Sequence, residues 1–456
     1  MISVQDLYSI YRDCSFRVST DSRSIAGGEL FFALRGENFD GNAYAASAIS
    51  KGASWAVVNS DCPDSSDRFI RVDDPFRFLQ ELAVFHRRTL GIPVIGLTGT
   101  NGKTTTKELV AAVLRSRFEV CATEGNLNND IGVPLSLLKM KPETRIAVIE
   151  MGASHPDDIA KLVRVSQPDY GIITNVGKAH LQGFGSFEGV KAAKGELYRW
   201  LGSHEGSVIF LNEDDSDLVG MARREACHVF GYGLHYQGAE VLPATALEPF
   251  LRIRLADGSI VATRLVGSYN ASNVLAAMAI GQYFGVSQEA ASKAISEYVP
   301  SNQRSQLERT ESNTLIVDAY NANPSSMAVA LDNLLAMEGG PRLALLGDMR
   351  ELGEDSLAEH ISIVKRLMAS DASFCLVGEE FRKALLACEV PGLQLASKGG
   401  VMVPVNAALP ERSRFRGWYA NSEDLALELG ARPVKGSVVL VKGSRGIRME
   451  RVLGAL

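Results

Sequence analysis

Short apolar runs alternate with amphipathic helical patterns from residue 90 onward. In the middle segment the runs are "IPVIGLTG", "RIAVIEMG", "YGIITNVG" and "SVIFLNEDD", and in the last segment "TLIVDAYNA", "RLALLGDMRE", "SFCLVGEE" and "SVVLVKGSRG". Apolar runs of this length between helices are typical of parallel strands that are covered on both faces of a sheet. The pattern therefore predicts an α/β protein built on parallel sheets.

Helical patterns end at two places that divide the chain into three segments. One ends in "RRTLGIPVIG" with Gly91 and Pro93, and another ends in "EYVPSNQRSQ" at Pro300. Glycine and proline interrupt helices, and 456 residues are too many for one ordinary core, so each segment is predicted to be a domain. The first segment is mixed α/β, and its periodicity alone does not fix its fold. The predicted domains are 1–89, 90–302 and 303–456.

Most of the predicted strands share a feature at their ends. Nearly every one runs directly into Gly, Asn, Asp, Glu or Lys. In open α/β sheets, ligands bind beyond the carboxyl ends of the strands. These polar endings therefore predict the rim of a ligand-binding site.

The composition is that of a soluble globular protein. Hydrophobic residues make up 46% of the chain and charged residues 22%, and the net charge of -6 argues against a general nucleic-acid binder. The six cysteines are scattered, so reduced thiols are expected. The start "MISVQDLYSIYRDCS" lacks a signal-peptide pattern, and no run approaches the roughly 20 apolar residues that cross a bilayer. We therefore expect a cytoplasmic monomer without nucleic-acid or membrane partners.

The stretch "TGTNGKTTT" has the composition of a phosphate-binding loop between a strand and a helix. Gly99 and Gly102 would let backbone N–H groups approach phosphate oxygens, and Lys103 would reach the terminal phosphates. The Thr104 hydroxyl would bind Mg²⁺ beside the positive end of the helix. The longer GxxxxGK[ST] pattern needs glycine where this chain has Leu97, so the loop is a shorter variant. The alternative is a glycine-rich turn with a solvated lysine.

Two side chains that follow predicted strands could complete a metal site beside this loop. Glu150 in "VIEMG" and His180 in "NVGKAHL" supply a carboxylate and an imidazole, although histidine is an unusual ligand of Mg²⁺. Taken singly, they are better explained as a solvated strand end and a surface histidine. Lys194 in "GVKAAKGELYRW" would by itself be a charged position on a helix face.

Together these motifs resemble the Mur ligase family of ATP-dependent amide ligases in peptidoglycan synthesis, and the resemblance covers essentially the whole chain. The phosphate loop matches the family's short version, which accounts for Leu97. Seven further stretches follow in the family's order, so the match is specific. They are "GNLNNDIGVP", "EMG", "TNVGKAHL", "AKGEL", "DAYNANPSSM", "LGDMRELG" and "VKGSRGIRME".

The stretch "DAYNANPSSM" narrows the activity that the resemblance implies. Asn321 and Ala322 stand where sister ligases that add single amino acids typically have alanine and histidine. This version implies ATP-dependent joining of D-alanyl-D-alanine to UDP-N-acetylmuramoyl-tripeptide through an acyl phosphate, with ATP and Mg²⁺ as cofactors. Three alternatives stay open. One is a sister or folylpolyglutamate-synthase-like ligase that adds a single amino acid, and another is a nucleotide-gated switch. The third is a catalytically dead homologue, against which the intact Lys103, Glu150, His180 and Lys194 argue.

The resemblance also implies a fold and residue roles. It implies a mixed α/β uridine-nucleotide domain, a central P-loop ATPase-like parallel-sheet domain and a C-terminal Rossmann-like domain. Lys103, Glu150, His180 and Lys194 would be catalytic, and Lys194 aligns with a lysine that several relatives carbamylate. The implied metal ligands are Thr104, Glu150, His180 and Lys194. The implied ATP-binding residues are Gly99, Thr100, Asn101, Gly102, Lys103, Thr104, Thr105, Asn270, Asn273, Arg304 and Asp318.

The remaining implied residues bind the two other substrates. Asp21, Ser22, Arg23, Phe31 and Ala33, in "STDSRSIAGGELFFALRGENFDG", would hold the uridine nucleotide, Asn128 and Asn129 the muramoyl side, and Asn321 and Asn323 the dipeptide. Two positions depart from the family's pattern. Tyr269 and Asn42 each stand where relatives often have histidine.

Overall fold

The eight apolar runs all contain strands, and these strands belong to two large sheets. A smaller sheet precedes them in the chain. We call the parts built around the three sheets the N-terminal, central and C-terminal regions. A computed structural model describes residues 2–244, 248–300, 303–337, 340–388, 395–398, 401–404 and 414–456.

The N-terminal region has three helices and six short strands, α1 (Val4–Asp13), α2 (Ala45–Ser50), α3 (Pro75–Leu90), β1 (Val18–Ser19), β2 (Leu30–Phe32), β3 (Arg35–Gly36), β4 (Phe39–Asp40), β5 (Trp55–Asn59) and β6 (Phe69–Val72). Four strands form a parallel sheet in the order β1-β2-β5-β6. Helix α3 begins where the Asp74 side chain accepts the Phe76 N–H, and it ends at Gly91, which adopts φ +61°. The predicted boundary between residues 89 and 90 lies in the last turn of this helix.

The central region holds the phosphate-binding stretch. Its strands are β7 (Val94–Thr98), β8 (Val120–Ala122), β9 (Ile146–Glu150), β10 (Tyr170–Ile173), β11 (Val208–Asn212), β12 (His228–Tyr232), β13 (Glu240–Leu242), β14 (Phe250–Arg254) and β15 (Ile260–Val266). Its helices are α4 (Lys103–Arg115), α5 (Gly132–Leu137), α6 (Asp158–Ser166), α7 (Leu181–Phe184), α8 (Phe187–Lys194), α9 (Glu196–Gly202), α10 (Ser216–Ala222), α11 (Ala271–Tyr283) and α12 (Gln288–Glu297).

Six of these strands form an all-parallel sheet in the order β12-β11-β10-β7-β9-β8. Strands β7, β9 and β11 are buried at every residue, because helices cover both faces of the sheet. On one face α4 contributes Val110 and Leu114, and α11 contributes Val274 and Leu275, to one apolar cluster. Each such fully buried side chain stabilises the fold by about 1.5–3 kcal/mol. This packing fixes the helix that follows the phosphate-binding stretch.

The C-terminal region is a second α/β unit. Its strands are β16 (Gln306–Arg309), β17 (Thr314–Asp318), β18 (Arg342–Gly347), β19 (Ser373–Val377), β20 (Leu395–Lys398), β21 (Val401–Pro404), β22 (Phe415–Tyr419) and β23 (Val438–Lys442), and its helices are α13 (Pro324–Ala336), α14 (Ser356–Ala369), α15 (Glu379–Ala387) and α16 (Ser422–Ala431). The sheet order is β16-β17-β23-β18-β19-β22-β21-β20, with a parallel core from β17 to β22. The predicted boundary near residue 302 lies outside the described residues.

The carboxyl ends of the two large sheets face each other across a cleft. Asn323 Nδ2, at the start of α13, donates a 2.8 Å hydrogen bond to Asn101 Oδ1 in the loop after β7. Lys178, after β10, forms a 2.7 Å ion pair with Glu359 on α14. The polar strand ends of both regions therefore border one space. Among the described residues, no helix is long and apolar enough to cross a membrane.

Candidate active site

A cleft of about 800 Å³ lies between the central and C-terminal regions. The central region contributes the loop after β7 and the ends of β9 and β10 to its wall. The C-terminal region contributes the ends of β17 and β23 and the start of α13. Residues from the predicted set that line the cleft are Thr100, Asn101, Gly102, Lys103, Thr105, Asn128, Asn129, Glu150, His180, Asn270, Asn273, Arg304, Asp318, Asn321 and Asn323.

The loop between β7 and α4 is held in shape by its contacts with the end of β10. Gly99 and Gly102 have φ values of +149° and +76°, in a region that side chains rarely adopt. The N–H groups of Thr100 and Asn101 donate to the main-chain and side-chain oxygens of Asn175, each at 3.0 Å. The Thr174 hydroxyl donates to the Asn101 carbonyl at 2.6 Å. The backbone is thus already arranged as a concave loop at a helix N-terminus, which suits an anion.

Lys103 is the first residue of α4, and its ammonium group lies inside this loop. Its Nζ donates to the carbonyls of Gly99 and Thr100 at 2.7 and 3.0 Å. Burial lowers the pKa of Lys103 to about 8, against the opposing influence of the Glu150 carboxylate. A bound phosphate would favour the protonated form, so the lysine is suited to a polyphosphate ligand.

Thr104 and Glu150 present two buried oxygens without a hydrogen-bond partner among the described residues. These are Thr104 Oγ1 and Glu150 Oε2. The other carboxylate oxygen, Glu150 Oε1, accepts a 2.9 Å hydrogen bond from Asn128 Nδ2. Leaving such a group unpaired costs about 1–3 kcal/mol, so buried polar atoms normally have partners. A hydroxyl and a carboxylate oxygen are hard ligands of the kind that Mg²⁺ prefers. The two residues therefore fit the predicted metal site.

His180 precedes α7 and lies at the side of the cleft. Its backbone is left-handed, with φ +52°. Burial lowers the pKa of its imidazole, and the adjacent Glu351 carboxylate opposes that effect. The Glu351 carboxylate lies directly against Nδ1 of the ring. The neutral imidazole that burial favours is the form that binds metals.

Lys194 is not among the residues that line the cleft. It lies at the end of α8 with 2% of its surface exposed, and its ammonium is 5.9 Å from the centre of the Phe184 ring. Burial, with a smaller contribution from Lys103, places the pKa of Lys194 well below its usual value. The neutral amine is the form that reacts with carbon dioxide in the modification implied by the family resemblance. The alternative interpretation, in which Lys194 is a charged position on an exposed helix face, is therefore wrong.

Further polar residues line the cleft beside the phosphate loop. Asn273 Nδ2 donates to Asn270 Oδ1 at 2.9 Å, and the Thr106 hydroxyl on α4 donates to Asn273 Oδ1 at 3.0 Å. The Arg304 guanidinium stacks on the ring of Tyr320 with its carbon 3.9 Å from the ring centre. Asn270 and Asn273, two of the predicted nucleoside-side residues, thus lie together, and Asn273 packs against Gly102 of the phosphate loop.

Lys442 and Tyr320 are cleft residues that the sequence prediction did not single out. Lys442 Nζ, 1% exposed at the end of β23, contacts Asp318 Oδ2 at 2.5 Å and the Asn321 carbonyl at 3.2 Å. Asp318 ends the neighbouring strand β17. The sequence did contain a signal for Lys442. In "VVLVKGS" this lysine directly follows an apolar run, as the predicted residues at the rim of the site do. The pairing with Asp318 required the strand order.

The residues predicted for the uridine nucleotide lie outside this cleft. Asp21 borders a separate cavity of about 390 Å³ between the N-terminal region and α5, and its carboxylate is paired with the Arg23 guanidinium. Ser22 lies in the turn between these two residues, and its carbonyl accepts from a lysine ammonium. Phe31 and Ala33 are 2% and 0% exposed within an apolar cluster. Their side chains belong to this core, and their contact with the uridine nucleotide stays a prediction.

Replacing Gly99 with alanine is expected to disable the loop. A Cβ there would lie 1.9 Å from Thr174 Oγ1, at a φ of +149°. We expect Gly99→Ala to lower the free energy of unfolding by about 1–3 kcal/mol and to abolish measurable ADP binding. Thermal denaturation and an ADP titration measure the two effects.

Gly220→Ala in α10 is the matched control. A Cβ at Gly220 meets no described heavy atom within 4 Å. Alanine is favoured over glycine inside a helix, so this variant should gain about 0.5–1 kcal/mol and bind ADP unchanged. Wild-type ADP affinity in Gly99→Ala would contradict the assignment of the loop.

Family models match three consecutive parts of the chain. Residues 17–87 match the Mur ligase family, catalytic domain. Residues 97–281 match the Mur ligase middle domain. Residues 303–445 match the Mur ligase, glutamate ligase domain.

Relatives of similar length support this match. The UDP-N-acetylmuramoyl-tripeptide–D-alanyl-D-alanine ligase of Bacillus subtilis (strain 168) is 33% identical over 96% of this chain and 92% of the relative. A crystal structure of MurF from Acinetobacter baumannii is 28% identical, with a TM-score of 0.81 over 96% of this chain and 92% of that one. The MurF ligase of Thermotoga maritima in complex with ADP is 27% identical, with a TM-score of 0.78 over 96% of both chains.

Proposed function

Because the chain belongs to the Mur ligase family, we propose that its cleft joins D-alanyl-D-alanine to UDP-N-acetylmuramoyl-tripeptide with ATP hydrolysis. The Bacillus subtilis relative carries that activity in its name, and the Thermotoga maritima MurF ligase binds ADP. The observation that carries the proposal is the pair formed by Lys103 and the unpartnered Glu150 oxygen, which line the cleft, together with the unpartnered Thr104 hydroxyl on the residue after Lys103. This group is suited to a triphosphate and its cation.

The reaction needs activation because a carboxylate has no good leaving group at neutral pH. Transfer of the ATP γ-phosphate to the terminal carboxylate of the tripeptide gives an acyl phosphate. The dipeptide amine then attacks the carbonyl carbon, and phosphate leaves as the amide forms. Lys103 offsets the repulsion when the carboxylate approaches the triphosphate. The N–H groups at the start of α4 would hold the phosphates, because those of Thr100 and Asn101 already donate to Asn175.

Thr104 and Glu150 would hold one Mg²⁺, and His180, with carbamylated Lys194, would hold a second beside the substrate carboxylate. Bound Mg²⁺ supplies positive charge that offsets the charge of the transferred phosphoryl group. Glu150 is kept in position by Asn128, whose amide occupies its other oxygen. The unpartnered oxygen is therefore left free for a cation.

The C-terminal region would bring the dipeptide to the acyl phosphate. Asn321 lines the cleft, and Asn323 bonds directly to the loop residue Asn101. The docked C-terminal region covers the floor of the cleft, which would protect the intermediate from water. In this assignment Asn323 ties the two regions together, and Asn321 lies nearer the dipeptide.

The other elements of the proposal concern the whole molecule. Domains at 1–89, 90–302 and 303–456 would bind the uridine nucleotide, ATP and the dipeptide in turn. The cavity beside Asp21 would take part of the uridine nucleotide. We place the protein in the cytoplasm as a monomer, where its nucleotide-linked substrate would be made.

Phosphate release in the presence of different acceptors tests the proposal. The assay contains ATP, Mg²⁺ and UDP-N-acetylmuramoyl-tripeptide. D-alanyl-D-alanine should accelerate phosphate release at least about 100-fold over single amino acids, because phosphate leaves when the dipeptide amine attacks the acyl phosphate. Tripeptides ending in L-lysine and in meso-diaminopimelate should both be offered. Activity with a single amino acid alone would favour a sister ligase. Slow hydrolysis indifferent to every acceptor would favour a nucleotide switch.

A further inference from the structure

Two strained residues from different regions meet at the edge of the cleft. His180 and Glu351 have φ values of +52° and +65°, and nine non-glycine residues in the described chain have positive φ. Non-glycine residues with such backbones are uncommon and concentrate at functional sites. The Glu351 carboxylate contacts Nδ1 of His180. Strain on both sides of one contact indicates that its position matters.

The segment that carries Glu351 is fixed within the C-terminal region. The Asp348 carboxylate accepts the N–H groups of Glu380 and Phe381 at 3.0 and 2.9 Å. The Met349 N–H donates to Nε2 of His360 at 3.0 Å, and the Arg350 N–H donates to a serine hydroxyl after β23 at 2.9 Å. These bonds hold the backbone immediately before Glu351, so its carboxylate is presented by a rigid loop.

The docking of this loop on the central region aligns the two residues. The Gln182 N–H donates to the Glu351 carbonyl at 3.3 Å, and Gly353 lies beside Gln182, where a Cβ would make an ordinary van der Waals contact with its Cα. Lys178, two residues before His180 in the chain, forms an ion pair with Glu359 at the same interface. The His180–Glu351 contact therefore exists only while the two regions are docked.

We propose that Glu351 is a positioning residue. When the C-terminal region docks, Glu351 orients the imidazole of His180 toward a divalent cation. The inference rests on the proposed role of His180 as a metal ligand. Histidines that bind metals commonly donate their other ring N–H to a carboxylate, which fixes the ring's orientation and tautomer. The Glu351 carboxylate lies against Nδ1 of His180, where such a partner would be expected. Docking and completion of the metal site are thereby coupled.

Equilibrium Mn²⁺ binding tests the proposal without any ligation. Free Mn²⁺ is measured by electron paramagnetic resonance in titrations of the full chain with a non-hydrolysable ATP analogue and UDP-N-acetylmuramoyl-tripeptide. We expect Glu351→Ala to weaken the second, lower-affinity Mn²⁺ by about 10- to 100-fold and to leave the first unchanged. Glu351→Gln, which keeps an acceptor oxygen, should lie between Glu351→Ala and the wild type.

Two comparisons separate positioning from a general loss of docking. Glu359→Gln removes the ion pair with Lys178 at the same interface and should leave both Mn²⁺ affinities unchanged. In a His180→Ala background, Glu351→Ala should cause no further loss, because Glu351 acts through the imidazole. The titration contains no dipeptide and measures no ligation. The Mn²⁺ comparison can therefore be interpreted even if the proposed ligase activity is wrong.

Several results would overturn the proposal. Wild-type affinity for the second Mn²⁺ in Glu351→Ala would do so, as would absence of a second Mn²⁺ from the wild type. An equal loss in Glu359→Gln would show that docking alone is responsible. An undiminished effect of Glu351→Ala in the His180→Ala background would show that Glu351 does not act through His180.

Discussion

Lys103→Ala is expected to lower kcat for dipeptide ligation by about 1000-fold, the cost of removing one well-placed charge donor in a water-excluded site. The ammonium of Lys103 lies inside the phosphate loop, bonded to two of its carbonyls. When triphosphate binds, the same group can move onto the β and γ oxygens. ADP affinity should fall about 10- to 100-fold, the range for a lost hydrogen bond to a charged group.

The stability of the variant separates this effect from misfolding. Burial already lowers the pKa of Lys103 to about 8, so the folded protein does not gain from keeping it charged. The melting temperature of Lys103→Ala should therefore stay within a few degrees of wild type. Lys141→Ala, at an exposed position in the same region, is the matched control and should retain full activity. Wild-type kcat in Lys103→Ala would contradict the role of the loop.

Glu150→Gln is expected to lower kcat about 100- to 1000-fold, because the change removes the negative charge that would hold Mg²⁺ at the floor of the cleft. The amide keeps the size of the side chain, and its oxygen can still accept from Asn128, which bonds to Glu150 Oε1 at 2.9 Å. The loss should be partly relieved by raising the Mg²⁺ concentration, since binding of the cation is weakened. Initial rates over a Mg²⁺ titration measure both effects.

Glu143→Gln provides the same chemical change at an exposed turn of the central region. It should leave kcat and the Mg²⁺ dependence unchanged. If Glu150→Gln matched it in both measurements, the unpartnered carboxylate oxygen would need another explanation than a metal site.

The sequence was most informative where function follows from local order. Each apolar run formed a strand, because a run bounded by polar turn residues has few alternatives once helices flank it. The loop from Gly99 to Thr105 is local as well, and strand β7 and helix α4 lie directly on either side of it. Glu150 could be placed near the loop because β9 neighbours β7, and parallel strands bring their carboxyl ends to one edge.

Contacts between distant segments were not predictable in the same way. The burial of Phe31 could not be predicted, because it follows from the covering of both faces of β2, where Leu30 and Phe32 join one apolar cluster and Phe31 another. Lys442 meets Asp318 only because β23 inserts beside β17 in the sheet. Glu351 meets His180 only through the docking of two regions. Such pairs depend on strand order and interdomain packing, which a single sequence does not encode locally.

Transfer of oxygen from the tripeptide to phosphate tests the central claim most directly. The terminal carboxylate of UDP-N-acetylmuramoyl-tripeptide is labelled with oxygen-18, and the phosphate released during ligation of D-alanyl-D-alanine is examined by mass spectrometry. An acyl phosphate formed on the loop leaves one labelled oxygen in each phosphate released, because the carboxylate oxygen departs with it. Phosphate free of label, with the dipeptide nevertheless joined, would contradict the proposed activation of the carboxylate.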